Sequence, residues 1–257
     1  MSTPSLDILA IAAHRDDVEQ TCGGTLLKMA QRGQSTGILD LTHGELGTRG
    51  TAEDRAREAA DAARILGAGW RRALDIPDGR VENTWENRLK VASVIRETRP
   101  RAVILPYWKG RHPDHYTCSR LGYEACFLAG LAKLPLNIQP SAVSQPNSTA
   151  DNVEALAPHR PFKIIYATLY YDVRPTFVVD ISQQFEQKFA SILAYKSQFS
   201  DQTAGKDLFP AHHEIHARVE SMARFYGALG GVTYAEPFLQ KEVGLVEDLL
   251  AIPVKSI

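Results

Sequence analysis

Short continuous runs of apolar residues alternate along the chain with segments in which apolar positions recur at helical spacing. Residues 6–13 are apolar except at Asp7, as expected for a strand that is covered on both faces of a sheet. Residues 18–31 show helical spacing and are followed by Gly33, a typical helix C-cap, and then by an apolar run at 37–41. A strand, a helix and a second strand in this order predict a right-handed parallel crossover.

The alternation continues over the rest of the chain. Thr51 and Asp54 form a capping-box pattern at the start of a predicted helix over residues 52–66. Further strands are predicted at residues 73–76, 102–105, 162–169, 176–179 and 232–238, and further helices at 84–98, 115–133, 185–199 and 212–229. Residues 135–161 contain several prolines and predict a long loop, of a kind that is usually functional or a subunit contact. The pattern predicts a single α/β domain over residues 1–257, with a doubly wound, mostly parallel sheet in a Rossmann-like arrangement of three α/β/α layers.

The composition fits one large domain and argues against several classes of partner. A chain of 257 residues with 44% hydrophobic content is long enough to bury a full core. Its 29 basic and 30 acidic residues are mixed along the chain, so no basic surface for nucleic acid is expected. No apolar stretch approaches the roughly 18 residues needed to span a bilayer, and residues 1–7 lack the basic region expected of a leader. The three cysteines are an odd number without framework spacing, which favours reduced thiols. We therefore expect a cytoplasmic protein whose partner is a small molecule and not a membrane.

Two polar motifs directly follow two of the predicted strands. The first runs from His14 to Glu19, and the second is His112-Pro113-Asp114-His115. Because parallel strands deliver their carboxyl ends to the same edge of a sheet, the two motifs should meet in one crevice. A catalytic zinc site typically has three protein ligands and a water, and His14, Asp17 and His115 supply such a set. We expect one zinc ion per chain.

The other polar residues of the motifs predict hydrolytic chemistry. Asp16 lies between two of the expected ligands, where a carboxylate can take the proton of a water that a metal has acidified. We therefore predict that Asp16 is the general base. His112 is predicted to stabilise or protonate an oxyanion, with Asp114 orienting its ring and holding it cationic. The implied reaction is hydrolysis of an amide or an ester.

Less specific interpretations of these residues exist. Residues 16–19 alone match a charged helix start, and residues 112–115 alone match a capped turn. A doubly wound regulatory or ligand-binding module with a structural metal is an alternative of another class, although structural zinc normally has four protein ligands. Cys22 and Cys118 lie near the motifs, but small thiols on helix faces are more typical of buried packing than of metal ligation.

The two motifs, together with Gly23 and Gly24, resemble those of the LmbE/PIG-L family of zinc-dependent sugar N-deacetylases. Further segments resemble the bacillithiol-biosynthesis branch of that family, namely residues 40–42, 44–51, 177–181, 195–199 and 231–238. The resemblance covers nearly the whole chain. It implies removal of acetate from N-acetylglucosaminyl-L-malate and assembly into a homo-oligomer, often a hexamer. A mycothiol precursor, an antibiotic glycan and a chitooligosaccharide are alternative amino-sugar substrates.

The resemblance implies the same roles for the two motifs as those given above, and it adds substrate contacts. Arg55 matches a family position that reaches toward the substrate, and Tyr195 matches a tyrosine near the oxyanion. Arg49, with Arg111 and Arg174, is a candidate for the malate carboxylates, because arginine binds a carboxylate through a bidentate fork.

The chain departs from the family pattern at one position of the first motif. Arg15 stands where the family usually has proline. Proline fixes φ and removes an N–H donor, so this change is expected to loosen the turn or to place a cation near the site.

Overall fold

A computed structural model describes residues 5–137, 156–170, 173–199 and 212–254, without the side chains of His212 and His213. Seven strands of the described residues form one sheet in the order β3-β2-β1-β4-β5-β7-β6. They are β1 (Ile8–Ala12), β2 (Thr36–Asp40), β3 (Trp70–Ala73), β4 (Ala102–Pro106), β5 (Lys163–Ala167), β6 (Phe177–Asp180) and β7 (Ala235–Leu239). Strands β1 to β5 are parallel, and β7 is antiparallel to both β5 and β6. The predicted doubly wound, mostly parallel α/β fold is confirmed.

Helices connect these strands and cover both faces of the sheet. They are α1 (Asp17–Thr21), α2 (Gly23–Gln31), α3 (Ala52–Ile65), α4 (Trp85–Thr98), α5 (Pro113–Ala129), α6 (Phe185–Leu193), α7 (Lys196–Phe199) and α8 (His212–Gly230), and a 3₁₀ turn follows at Leu249–Ala251. Among the described residues, no helix is both long enough and apolar enough to cross a membrane. The strand order reverses between β1 and β4, so a crevice opens at the carboxyl ends of these two strands.

The two faces of β1 carry two separate hydrophobic clusters, because successive side chains of a strand point to opposite faces. Leu9 and Ile11 belong to a cluster that includes side chains of α4 and α5. Ala10 and Ala12 belong to the other cluster, which includes side chains of α1 and α2. The strand is therefore buried on both sides, as its apolar run predicts, and it holds the residue that follows it in a fixed position.

The third strand lies three residues before its predicted position. The structure places β3 at Trp70–Ala73, whereas the apolar run Leu74-Asp75-Ile76 follows it as irregular backbone. The strand carries two arginines, and the low hydropathy of arginine argues against a buried strand at this position. Both are paired: Arg71 binds Asp40 and Glu19, and Arg72 binds Glu97 at 2.6 Å. These ion pairs neutralise the charge of the strand.

Two predicted helices are each divided in two. The segment 18–31 breaks at Cys22, where the amides of Gly24 and Thr25 donate to the carboxylate of Glu236 on β7 at 2.9 and 2.7 Å. The segment 185–199 breaks between α6 and α7. The capping box of α3 is present as predicted. Most of the predicted loop at 135–161 lies outside the described residues.

We expect the substitution Gly122→Ala to destabilise the protein although alanine favours helices. A β-carbon at Gly122 of α5 would overlap the side chain of Leu105 on β4. Overpacking typically costs about 1–3 kcal/mol, which exceeds the gain of about 1 kcal/mol in helix propensity. Thermal unfolding measures the effect. Gly69→Ala is the matched control, because a β-carbon there meets no atom within 4 Å. Equal melting temperatures for the two variants would contradict this packing.

Candidate metal and catalytic site

The two polar motifs meet at the crevice between the carboxyl ends of β1 and β4. His14 comes two residues after β1, and Asp17 is the first residue of α1. His112 is the N-cap of α5, with its Nδ1 accepting from the backbone N–H of Asp114 at 3.2 Å, and Pro113 is the first helical residue. Proline is favoured there because its missing N–H and fixed φ suit the first helical turn. This turn directs His115 toward His14, and their ring centroids lie 5.3 Å apart.

The three expected metal ligands present their donor atoms to one another. His14 Nδ1 lies 3.3 Å from His115 Nε2 and 3.4 Å from Asp17 Oδ2. His115 Nε2 lies 3.2 Å from Asp17 Oδ1. In a tetrahedral zinc site with bonds of about 2.1 Å, two donors stand about 3.4 Å apart. The spacing of these donors therefore fits one small divalent ion.

Two further carboxylates contact the opposite nitrogen of His14. His14 Nε2 lies 3.1 Å from Asp78 Oδ1 and 3.2 Å from Asp114 Oδ2. The sequence interpretation missed Asp78, which lies in the loop after β3 and accepts from the backbone N–H of Leu46 at 2.9 Å. Potential ligand atoms of His14, Asp78 and Asp114 lie within 4.8 Å of one another, as do those of His14, His112 and His115. Metal-binding sets are therefore possible on either side of the His14 ring.

The Asp114 carboxylate, expected to orient the His112 ring, makes its hydrogen bonds elsewhere. The buried carboxylate of Asp114 instead accepts from the backbone amides of Gly79 at 2.8 Å and Val81 at 3.2 Å, and it contacts His14. The first turn of α5 points this side chain into the protein, toward the loop after β3, while His112 is exposed at the mouth of the crevice. The carboxylate of Asp114 therefore contacts the ring of His14, while the backbone N–H of Asp114 donates to His112.

Asp16 has an uncommon backbone conformation next to the ligands. Its φ of 101° lies in the left-handed region, which non-glycine residues rarely adopt. Arg55 Nη2 lies 3.4 Å from Asp16 Oδ1, and the same guanidinium donates to the backbone carbonyl of Arg15. Arg55 thus holds both the side chain of Asp16 and the peptide before it. Burial raises the pKa of Asp16 to about 7; Arg55 opposes this rise, and Asp17 and Glu19 add to it.

The surrounding carboxylates stabilise positive charge on the histidines. Burial lowers the pKa of His14, but hydrogen bonds to Asp17 and Asp78 outweigh it and raise the pKa to about 11. Burial opposes ionisation of Asp17, yet His115 and His14 hold its pKa well below the usual value. Burial also lowers the pKa of His112, and positive charge on His14 and His115 lowers it further. A cation is therefore attracted to the position of His14. The ring of His112, by contrast, favours its neutral form.

The three residues expected to bind substrate are all buried. Arg55 is 5% exposed and is engaged with Asp16 and Arg15. Arg49 is also 5% exposed, and it donates to the carbonyl of Gln198 at 3.0 Å. The hydroxyl of Tyr195 donates to Glu19 at 3.0 Å, and its ring is fully buried. Their contacts lie within the protein.

Arg15 does not point its charge into the crevice. Its guanidinium donates to the carbonyl of Ala52 at 2.9 Å, and it contacts both the carbonyl and the ring of His43. The His43 ring in turn contacts Asp75 at 2.7 Å. Arg15 therefore links the turn after β1 to the loop after β2 and to the start of α3, so the turn has a side-chain anchor where the family has a proline.

A cavity of about 610 Å³ opens beside the ligands and is lined by Asp17, His112 and His115. A larger cavity of about 900 Å³ lies between α5 and the end of β7, and its lining contains none of the residues of the two motifs. Of these two cavities, the smaller one adjoins residues of both polar motifs. We take it as the candidate substrate site.

Comparisons with known proteins agree with this arrangement. Residues 9–126 match the model of the family described as PIG-L, GlcNAc-PI de-N-acetylase. The diacetylchitobiose deacetylase of Thermococcus kodakarensis is 32% identical over 240 residues, which cover 89% of this chain and 80% of that protein. The 4-oxalmesaconate hydratase of Pseudomonas putida is 26% identical over 211 residues, covering 77% and 76%.

The fold comparison covers almost the whole chain. The crystal structure of the conserved protein TT1542 from Thermus thermophilus has a TM-score of 0.78 and 40% sequence identity, covering 94% of this chain and 98% of that one. The match to the family model includes both polar motifs, and the deacetylase relative covers most of both chains. The chain therefore belongs to the PIG-L family of de-N-acetylases.

Proposed function

We propose that the protein is a metal-dependent deacetylase that hydrolyses the N-acetyl group of an amino-sugar conjugate. The observation that carries the proposal is that His14 Nδ1, His115 Nε2 and the two carboxylate oxygens of Asp17 make contacts of 3.2–3.4 Å, with Asp16 next to Asp17 in the chain. Family membership and the deacetylase relative support the same chemistry. A closed structural site would need a fourth protein ligand.

The proposed ligands are His14 Nδ1, Asp17 and His115 Nε2, on one side of the His14 ring. The other ring nitrogen then keeps its proton, and this N–H donates a hydrogen bond that Asp78 and Asp114 share. Such carboxylates fix the ring and raise the basicity of a metal-binding histidine. Backbone amides already bind the carboxylates of Asp78 and Asp114, which suits them to orienting the ring rather than to binding the ion. Histidine nitrogens with one carboxylate favour zinc.

Different residues around this position perform different steps of amide hydrolysis. A divalent ion bound there supplies a Lewis acid that polarises the amide carbonyl and acidifies water. Asp16 takes the proton of the attacking water and returns it to the leaving nitrogen, so that acetate and an amine are formed. His112 Nδ1 accepts a backbone hydrogen bond, so the neutral ring carries its proton on Nε2. That N–H donates to the oxyanion.

The sugar and its aglycone lie at the mouth of the cavity. Lys109, Arg111 and Arg218 line the cavity, are exposed, and form no ion pair with a carboxylate of the described residues. Three cations without such partners favour an anionic aglycone. We propose N-acetylglucosaminyl-L-malate, the substrate that the resemblance implies, with Arg111 as a contact of its carboxylates.

We also propose that the chain forms a homo-oligomer. The larger cavity is lined in part by Phe127, Phe162 and Leu245, which are 56%, 83% and 92% exposed. Large exposed apolar patches are typical of protein interfaces. The oligomeric state in solution is measured by sedimentation.

Substitutions on the two sides of His14 should separate ligands from orienting groups. We expect His115→Ala to abolish stoichiometric zinc binding, whereas Asp78→Asn should weaken it only 10–100-fold, as is typical for an orienting carboxylate. Competition with a chromophoric chelator measures the affinities. Asp75→Asn, in the same loop but paired with His43, is the control and should bind zinc normally. If Asp78→Asn abolished binding and His115→Ala did not, the ion would lie on the other side of the ring.

The substitution Asp16→Asn should remove the base and leave the site otherwise intact. Asparagine tolerates the left-handed backbone of this position, and it has nearly the shape of aspartate. We expect turnover to fall by about 10²–10⁴-fold with unchanged zinc content. Acetate release and metal analysis on the same protein measure both quantities. Turnover within tenfold of the unsubstituted enzyme would contradict the role of Asp16.

A substrate panel tests the reaction and the aglycone. We expect acetate release from N-acetylglucosaminyl-L-malate, and slower release from the inositol conjugate and from diacetylchitobiose. Arg111→Gln should raise KM for the malate conjugate more than for the uncharged sugars, because only malate offers a carboxylate to pair with it. Equal rates on all three sugars would contradict the malate assignment alone. Hydration of an unsaturated carboxylic acid without any acetate release would favour the chemistry of the hydratase relative.

A further inference from the structure

The loop between β4 and α5 carries Arg111 and His112 at the mouth of the candidate substrate cavity, and residues 109–113 are exposed. Among the described residues, one hydrogen bond joins residues 108–111 to another element: the backbone N–H of Arg111 donates to the hydroxyl of Tyr170 at 3.0 Å. Resting on the proposed function, we propose that Tyr170 is a positioning residue. It holds the peptide before His112 and thereby fixes the position of the ring that donates to the oxyanion.

Tyr170, in the segment after β5, is itself anchored to the interior of the protein. Its ring packs against the larger hydrophobic cluster, and its backbone N–H donates to the hydroxyl of Thr168 at 3.2 Å. Its backbone carbonyl accepts from the hydroxyl of Tyr226 on α8, which is fully buried and also reaches the carbonyl of Val173 at 3.2 Å. Because Tyr170 is fixed at its N–H, its carbonyl and its ring, it can hold an exposed loop in one place.

Gly110 allows the loop to approach Tyr170 this closely. A β-carbon at Gly110 would lie 2.5 Å from the Tyr170 hydroxyl oxygen and 3.0 Å from the nearest carbon of its ring. Such distances are too short for real side chains, so any larger residue would push the ring away from the loop. The φ of Gly110 is not positive, and close approach rather than backbone conformation therefore requires glycine at this position.

The hydrogen bond to Tyr170 and the contacts of α5 act on His112 from opposite sides. On the helix side, the backbone N–H of Asp114 donates to His112 Nδ1, and the ring stacks on that of His115 with centroids 4.7 Å apart. These contacts fix the ring relative to α5. On the loop side, the bond of Arg111 fixes the preceding peptide relative to the segment after β5. A misplacement of about 1 Å lowers a reaction rate by as much as about 100-fold, so both anchors are needed.

Removal of one hydroxyl tests the role of Tyr170. We expect Tyr170→Phe to lower kcat about tenfold for the sugar of the substrate panel that is hydrolysed fastest, because the loop leaves its catalytic position. Zinc affinity should not change, since the hydroxyl of Tyr170 binds the loop and not a proposed ligand. Tyr123→Phe is the matched control, because Tyr123 is an exposed tyrosine of α5 that lines the larger cavity instead. Equal kcat values for the two variants would overturn the inference.

A double-mutant cycle separates positioning of His112 from a direct contact between Tyr170 and the substrate. In the His112→Gln background, Tyr170→Phe should lower kcat by less than about twofold, because the ring that Tyr170 positions is absent. The effects of the two substitutions are then strongly non-additive. An equal fall of kcat in both backgrounds would overturn the positioning role and favour a direct contact with the substrate.

A substitution at Gly110 tests the same contact from the loop side. Gly110→Ala should lower kcat to about the level of Tyr170→Phe, because the added β-carbon displaces the Tyr170 ring. Gly69→Ala is the matched control, since its β-carbon meets no atom within 4 Å. A kcat of Gly110→Ala equal to that of Gly69→Ala would overturn the close contact.

Amide hydrogen exchange measures the contact without catalysis. In the zinc-loaded protein, the amide of Arg111 should exchange at least about threefold faster in Tyr170→Phe than in the unsubstituted chain, because it loses its acceptor. An unchanged exchange rate would overturn the hydrogen bond and the inference with it. If exchange responds as expected but the unsubstituted enzyme releases no acetate from any sugar, the proposed function and the catalytic role of Tyr170 both fail and only the contact stands.

Discussion

The imidazole of His14 is held between acidic groups on both of its nitrogens, and the candidate site depends on this constraint. Asp17 lies on the Nδ1 side together with His115, and Asp78 and Asp114 lie on the Nε2 side. A neutral histidine can bind a metal through one nitrogen only if the other nitrogen has a suitable acceptor for its proton. Under the proposed assignment the two sides of the ring have different tasks, and the loop after β3 adds a carboxylate that the two motifs do not supply.

The topology explains why these groups converge. Strand β1 is buried on both faces and lies between β2 and β4, so the residues after β1, β3 and β4 reach the same edge of the sheet. The short helix α1 then places Asp17 next to His14, and its N-terminus favours carboxylates there. Arg55, from the start of α3, holds Asp16 in its left-handed conformation. Each group comes from a different element, but all of them are fixed by one sheet edge.

The sequence was sufficient for the parts of the site that are local in the chain. His14, Asp16 and Asp17 form one turn, and His112, Asp114 and His115 form another, so strand ends and spacing predict their meeting. Asp78 could not be found in this way, because a single aspartate in a loop carries no spacing signal. The contact of Asp114 with His14 is also hidden from the sequence, because it joins residues 100 positions apart.

The same limit applies to the fold. Periodicity predicts the strands and their parallel crossovers. The predicted position of β3 is three residues too late, because the arginines of this strand are neutralised by partners elsewhere in the chain. The antiparallel insertion of β7 also depends on contacts that are distant in sequence. This strand lies between β5 and β6, although it follows both of them in the chain. During synthesis both polar motifs therefore leave the ribosome long before the sheet can close, and among the described strands β6 has no neighbour until residues 235–239 arrive. The carboxylate of Glu236 can accept hydrogen bonds from the start of α2 only after β7 has been translated.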